Sequence, residues 1–217
     1  MPLGIIRKKT AAAQKTTGWK AILSMSGAYG LCQNLLGADD FYRRIIHDHI
    51  RPFPGMRILD LGCGPARILK FMPRDIYYAG LDPSPEYIKA ARSRYGYRAD
   101  FFRLSVEEFN PADLAGFDLV LGLGVLHHLD DAGARIFFSA ASGAAHEKGR
   151  CLTADPCLLP GQNPLARLLM RLDRGGCIRS LESYSVLAAG VFSRVRQIIL
   201  QDGLRLPYTH LLMECRK

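Results

Sequence analysis

Between Arg57 and Asp155 the chain alternates two kinds of apolar run, and this alternation constrains its fold more than any single motif. The segments "RILDL", "YYAGL", "YRADFFRL", "FDLVLGL" and "RCLTAD" read as short strands, whereas "ARILKFM", "PEYIKAARSRY" and "DAGARIFFSAASGAA" read as helices. Strands made of nearly continuous apolar residues must be buried on both faces. That requires a parallel sheet covered by helices above and below, so the sequence predicts an α/β, doubly wound fold.

The flanking segments add to this core. From Ala38, "ADDFYRRIIHDHI" places Phe41, Ile45, Ile46 and Ile50 near one helical face, with Asp39 or Asp40 as a cap and Pro52 as a stop. Beyond Asp155 the pattern changes. Asn163 as cap, Pro164 at the first helical position and Leu165, Leu168, Leu169 and Leu172 at helical spacing predict an inserted helix within residues 156–180, ending at Gly175-Gly176. A helix over Glu182 to Gly190 follows, then two strands, "SRVRQIILQ" and "THLLMECR", joined through a turn at Asp202-Gly203.

With 217 residues, 48% of them hydrophobic, the chain can bury such a sheet as one domain over 38–217, preceded by a basic segment over 1–37. In that first segment Arg7, Lys8, Lys9, Lys15 and Lys20 all precede the first acid, Asp39, and contribute to a formal charge of +9. No apolar run reaches the roughly 18 residues of a membrane span, and the N-terminus lacks a secretory core, which predicts a cytoplasmic location. The six cysteines form no C-x-x-C pair and no Cys/His ligand spacing, so neither a metal site nor a disulfide framework is expected.

The chemistry begins at "ILDLGCGPARIL", Ile58 to Leu69. A strand that breaks at glycines and opens a helix lets backbone approach a ligand and aims helix N–H groups at it. A dinucleotide-binding turn would need a third glycine at Arg67. Instead Asp60 stands two residues before Gly62, where it would repel a pyrophosphate but can accept hydrogen bonds from an ammonium group.

On these residues the sequence resembles the class I S-adenosylmethionine-dependent methyltransferase family. The resemblance implies a Rossmann-like seven-stranded sheet, mostly parallel with an antiparallel C-terminal strand, plus a helical lid insertion. It also implies S-adenosylmethionine as cofactor, with Asp60, Gly62, Cys63 and Gly64 around the methionine part and Ala66 narrowing the turn in place of the family's third glycine. In "YYAGLDPS", Asp82, followed by Pro83, matches the acid that binds both ribose hydroxyls. In "FFRLSVEEF", Ser105 occupies the place of the family's adenine-binding aspartate, which passes that contact to the backbone of Val106 or to Glu107. In "FDLVLGLGVLHHLDD", Gly122, Leu123 and Gly124 match the backbone passing the methionine end.

Methyl transfer from a sulfonium asks the protein to position the acceptor, exclude water and, for a hydroxyl, remove a proton. His127 and His128 follow the fourth strand, at the carboxyl edge where open α/β sheets bind ligands, and either can act as base; Asp155, at the end of the next strand, can orient an imidazole. Arg167, Arg171, Arg174 and Arg179 in the insertion, with Tyr208 and His210 near the last strand, are the candidate acceptor contacts.

The expected function is methyl transfer to a small-molecule acceptor, at a hydroxyl oxygen of a biosynthetic intermediate. Two alternatives stand against it. The basic charge suggests a nucleic-acid methyltransferase, but "GLGVLHH" stands where base-methylating enzymes commonly carry Asn/Asp-Pro-Pro-aromatic, which makes nucleic acid an unlikely partner. A non-catalytic cofactor-binding scaffold need not keep Asp60, Gly62, Gly64 and Asp82 together. The basic N-terminal segment offers two roles, contact with a membrane surface or cover for the cofactor.

Overall fold

The structure is a computed structural model that describes residues 38–171, 175–200 and 208–217. The basic segment 1–37 and the expected turn at Asp202-Gly203 lie outside the described residues.

Strands β1 (Arg57–Leu61), β2 (Tyr77–Asp82), β3 (Asp100–Arg103), β4 (Phe117–Leu123), β5 (Ala145–Leu158), β7 (Arg194–Leu200) and β8 (His210–Arg216) form one sheet in the order β3-β2-β1-β4-β5-β8-β7. A two-residue strand, β6 (Arg179–Ser180), pairs with β5 off this path. β8 runs antiparallel to both its neighbours and the other pairings are parallel, as expected from the sequence. The strand order reverses between β1 and β4, so the crevice at their carboxyl ends is the topological switch point where such sheets bind ligands.

Alternate residues along the strands feed two cores. Leu59 and Leu61 of β1 and Val120 of β4 pack with Phe137 and Phe138 of α3 (Asp131–Ala144) and Leu187 of α5 (Leu181–Ala189). Ile58, Leu119 and Leu121 face the other way, toward Ile45, Ile46 and Ile50, and toward Ile88 and Ala91 of α2 (Pro85–Tyr95). The helix from Ala38 forms as α1 (Ala38–Arg44) and widens into a π-helical turn, Ile45–Ile50, that Arg51 ends in a left-handed conformation. Asp39 is not a cap there; its carboxylate instead meets Lys70 at 2.6 Å and Arg67 at 3.4 Å, tying α1 to the segment after β1.

Two helix starts follow their side-chain chemistry. Ser84 accepts from the N–H of Tyr87 at 3.2 Å before α2, and Asp130 from that of Gly133 at 2.8 Å before α3. The helix expected after β1 is reduced to a single 3₁₀ turn, Arg67–Lys70. Pro73 accounts for the early stop, because it lacks an N–H and disfavours helical geometry at Met72. Among the described residues no helix is long and apolar enough to cross a membrane.

Gly122 differs from its sequence reading. A Cβ there would stand 2.3 Å from Cζ of Phe137, so the glycine admits the α3 ring against β4, a packing role the cofactor motif had hidden. Gly122→Ala is expected to cost about 1–3 kcal/mol of folding stability through overpacking, measured by urea unfolding. A wild-type midpoint in the variant would contradict this packing role.

Candidate active site

The turn after β1 owes its shape to three left-handed residues. Gly62 has φ +78° and Gly64 has φ +53°, while Ala66 adopts φ +53° with a buried methyl group. A Cβ at Gly62 would stand 2.7 Å from Val125 Cγ2, so glycine there lets the loop after β4 close on the turn. A Cβ at Gly64 would meet nothing within 4 Å, which leaves an open side for a ligand.

The N–H groups of this turn point inward, contrary to the sequence expectation. Gly62 and Cys63 donate to the Leu81 carbonyl at 2.8 and 2.9 Å, Gly64 donates to Asp82 Oδ2 at 2.9 Å, and Ala66 donates to the Cys63 carbonyl at 3.0 Å. The turn therefore offers a ligand space and two carboxylates rather than a ring of donors. Cys63 is no nucleophile, because burial and the charges of Asp60 and Asp82 push its thiol far up.

Asp82, at the end of β2, accepts from Ser84 N–H on Oδ1 at 2.8 Å and from Gly64 N–H on Oδ2 at 2.9 Å. Burial raises its pKa, and these two backbone donors partly offset that. Each oxygen retains further acceptor capacity, so the fixed carboxylate can receive two adjacent hydroxyls.

Asp60 is in a more demanding position, only 4% exposed. Tyr78 Oη donates to its Oδ2 at 2.5 Å, and Oδ1 is buried without a hydrogen-bond partner. Burial, with the charge of Asp82, pushes the carboxyl up to about 6 against the opposing bond from Tyr78. An ammonium group satisfies an oxygen of this kind and favours its ionised form. The residues present thus fit the cofactor expected from the resemblance, with Asp60 for the amino group and Asp82 for the ribose.

The remaining cofactor candidates are arranged around these two acids. Pro83 is exposed beyond Asp82, and the Leu104 N–H donates to the Asp82 carbonyl at 3.2 Å, which brings Ser105 to the same edge. The Val106 side chain is buried in the core and Glu107 is exposed, so Val106 has only its backbone to offer. Leu123 is half-buried and Gly124 exposed at the end of β4, where the Gly124 N–H donates to the Ala154 carbonyl at 2.8 Å.

On the other side of the switch point, His127 and Asp155 meet. His127 Nδ1 lies 2.8 Å from Asp155 Oδ1, and the His127 backbone N–H donates to the same oxygen at 3.2 Å. Both residues are buried, whereas His128 is exposed with its ring centroid 4.0 Å from that of His127. A carboxylate only accepts, so a carboxylate at Asp155 selects the Nδ1–H tautomer and leaves the ring lone pair on Nε2.

The segment leaving and re-entering at the end of β5 holds this histidine turn in place. Arg179 was a candidate acceptor contact, but its guanidinium is enclosed and fully engaged. It donates to the carbonyls of Leu126 at 2.9 Å, Leu129 at 2.7 Å and Cys177 at 3.1 Å and pairs with Asp131 at 2.9 Å. The Cys177 N–H donates to the His127 carbonyl at 3.0 Å, and a Cβ on Gly175 would come 1.9 Å from His127 Cδ2. Arg179 is thus a clamp on the histidine turn.

The inserted helix, α4 (Pro164–Arg171), starts as expected, with Asn163 Oδ1 accepting from Leu165 N–H at 2.8 Å. Its inward face differs from the predicted leucine stripe. Ala166 and Met170 are buried, while Leu165 and Leu168 are 50% and 52% exposed. Arg167 is exposed on this helix, Arg171 is its last residue, and Arg174 lies outside the described residues. Tyr208 and His210 lie at the same sheet edge, with ring centroids 5.0 Å apart, and Phe41 stands 4.8 Å from His210. His210 pairs with Pro156, next to Asp155.

Sequence reasoning missed Tyr78, Val125, Gly175 and the clamping role of Arg179. Only the spacing of Tyr78 and Asp60 on adjacent strands carried a signal, and reading it required the strand register.

Several known proteins are similar to this chain. Residues 58–149 match the model of a family described as a methyltransferase domain. The ubiquinone biosynthesis O-methyltransferase of Azorhizobium caulinodans is 37% identical over 101 residues, which is 44% of this chain and 40% of that protein. The match thus spans about two fifths of that relative's length. Among solved structures, a TehB-like SAM-dependent methyltransferase from Corynebacterium glutamicum superposes with a TM-score of 0.63 at 17% identity, covering 88% of this chain and 98% of that one. The mitomycin 7-O-methyltransferase MmcR superposes with a TM-score of 0.67 at 18% identity, covering 92% and 60%.

Asp82→Ala is expected to weaken S-adenosylhomocysteine binding by about 1–3 kcal/mol in a calorimetric titration; an unchanged affinity would remove the ribose assignment. The pH dependence has a definite sign. Asp60 must lose its proton to meet an ammonium, so affinity is full above pH about 6 and falls as the pH drops through that value. Titrations from pH 5 to 8 measure this, and a flat profile would separate Asp60 from the amino group.

Proposed function

We propose that the chain is a class I S-adenosylmethionine-dependent methyltransferase and that it methylates a hydroxyl oxygen of a small aromatic or quinol-like biosynthetic intermediate. The observation that carries the oxygen preference is the buried His127–Asp155 pair at 2.8 Å, next to the switch point. A neutral amine nitrogen attacks with a lone pair it already carries, whereas a hydroxyl must lose its proton as the new bond forms. The relatives named for O-methylation in ubiquinone biosynthesis support the same acceptor class.

When bound, S-adenosylmethionine supplies an electrophilic methyl group on a sulfonium. The protein's own residues do the rest. Asp60 and Asp82 fix the two polar ends of the cofactor, and Gly62 and Gly64 give the turn its shape. His127 receives the acceptor proton at Nε2, and Asp155 stabilises the imidazolium that results. His128, exposed beside it, contacts the acceptor. Arg179 and Cys177 keep the turn that carries both histidines from moving during the proton transfer.

The inserted helix selects the acceptor, because it leaves and returns at the carboxyl edge of β5. Arg167, exposed on that helix, supplies positive charge there. Tyr208, His210 and Phe41 supply an aromatic surface on which a planar acceptor can lie.

His127→Ala is expected to lower kcat on a phenolic or quinol acceptor by about 10²–10⁴-fold while leaving S-adenosylhomocysteine affinity unchanged. Turnover is followed as S-adenosylhomocysteine release with catechols, hydroquinones and RNA offered in parallel. Full activity in the variant would eliminate the base, and turnover on RNA alone would replace the acceptor class.

A further inference from the structure

We propose that Tyr78 is a positioning residue for the cofactor's amino group, acting through Asp60: its hydroxyl holds one carboxylate oxygen so that the other is presented to the ammonium. The inference rests on the cofactor assignment above and extends it to a residue that never touches the ligand.

The register of the sheet creates the pair. Ile58 pairs with Tyr78 and Asp60 with Gly80, so Tyr78 and Asp60 share a face of the sheet one pleat apart. The tyrosine ring is fully buried and lies 6.1 Å from Phe101, and its hydroxyl reaches forward to Asp60 Oδ2 at 2.5 Å. Gly80 opposite Asp60 has no side chain, and a Cβ there would stand 2.8 Å from Cys63 Sγ. The space beside the carboxyl is therefore kept for the turn that carries the cofactor.

The direction of this hydrogen bond is fixed. Burial and the neighbouring Asp60 push the phenol well above its ordinary value, so it remains protonated and donates. With Oδ2 held, Oδ1 is buried and without a partner. The groups acting on Asp60 are Tyr78 and Asp82 from β2, and Cys63 faces it from the turn, so none of them is cationic. A carboxyl group with one oxygen anchored and, among the described residues, neither a partner for the other nor a cation near it is prepared for a cationic ligand. Asp60 alone could rotate about its side-chain bond, and Tyr78 removes that freedom.

Calorimetric titration at pH 7 with S-adenosylhomocysteine and with 5′-methylthioadenosine tests this, because the second ligand keeps the adenosine and thioether but lacks the amino acid part. Tyr78→Phe, which retains the ring, is expected to lower affinity for the first ligand roughly tenfold and to change affinity for the second by less than about twofold. It should also raise the pH below which affinity for the first ligand declines. In an Asp60→Asn background the tyrosine substitution should have no further effect, as required of two residues acting through one another.

Equal losses for both ligands would assign Tyr78 a purely architectural role, and unchanged affinity for the first would show that Asp60 is oriented without it; either overturns the proposal. Wild-type protein that binds neither ligand would instead overturn the cofactor assignment beneath it. Should Tyr78→Phe fail to fold, Asp60→Asn alone decides, since an equal loss of both ligands there would end the proposal.

Discussion

Burial of β1 on both faces, between β2 and β4, is the constraint on which the rest of the structure depends. A strand in that position can hold polar groups only where it ends, so the chemistry is displaced to its carboxyl edge. Asp60 is the single exception inside the strand. Its cost is met on one side by the Tyr78 hydroxyl, and its remaining oxygen defines what the site can accept. The turn that follows must then double back over a buried acid, which accounts for the left-handed residues Gly62, Gly64 and Ala66.

The two halves of the candidate site are joined through packing as well as proximity. Gly62 lets Val125 approach, and Val125 begins the turn that carries His127 and His128. That turn is held from the other side by Arg179, whose guanidinium gathers carbonyls on both sides of the histidines, and by the Cys177 N–H. The inserted segment is thereby tied by hydrogen bonds to the loop that carries both histidines. Such coupling suits a reaction whose main demand on the protein is geometry, since the reactive carbon comes with the cofactor.

Much of this was legible in the order of residues. Continuous apolar strands alternating with helices predicted the sheet, and the side-chain cap at Asn163 marked the start of the inserted helix. Asp60 and Asp82 were identifiable from their places in the motifs around the glycine turn, and His127 and Asp155 from their places at the carboxyl edge of the sheet. The helix after β1 was overestimated, because local periodicity over "ARILKFM" does not show that its first residue, Ala66, is left-handed or how early Pro73 ends the turn. The leucine stripe of the insertion misled for a related reason: spacing shows which residues share a face but not which way that face turns. Ala166 and Met170 took the inward side.

The sequence by itself determined the class of fold, the strands that carry the acids and the identity of the glycine turn, since these depend on periodicity and backbone preferences that act over a few residues. Tertiary structure alone decided the roles of Tyr78, Gly122, Gly175 and Arg179. Apart from Cys177 beside Arg179, their partners lie 15 to 53 positions away along the chain, and contacts of that kind follow from strand register and helix packing. An arginine in an insertion reads the same whether it meets an anion or three carbonyls, and only the placement of those carbonyls made Arg179 a clamp.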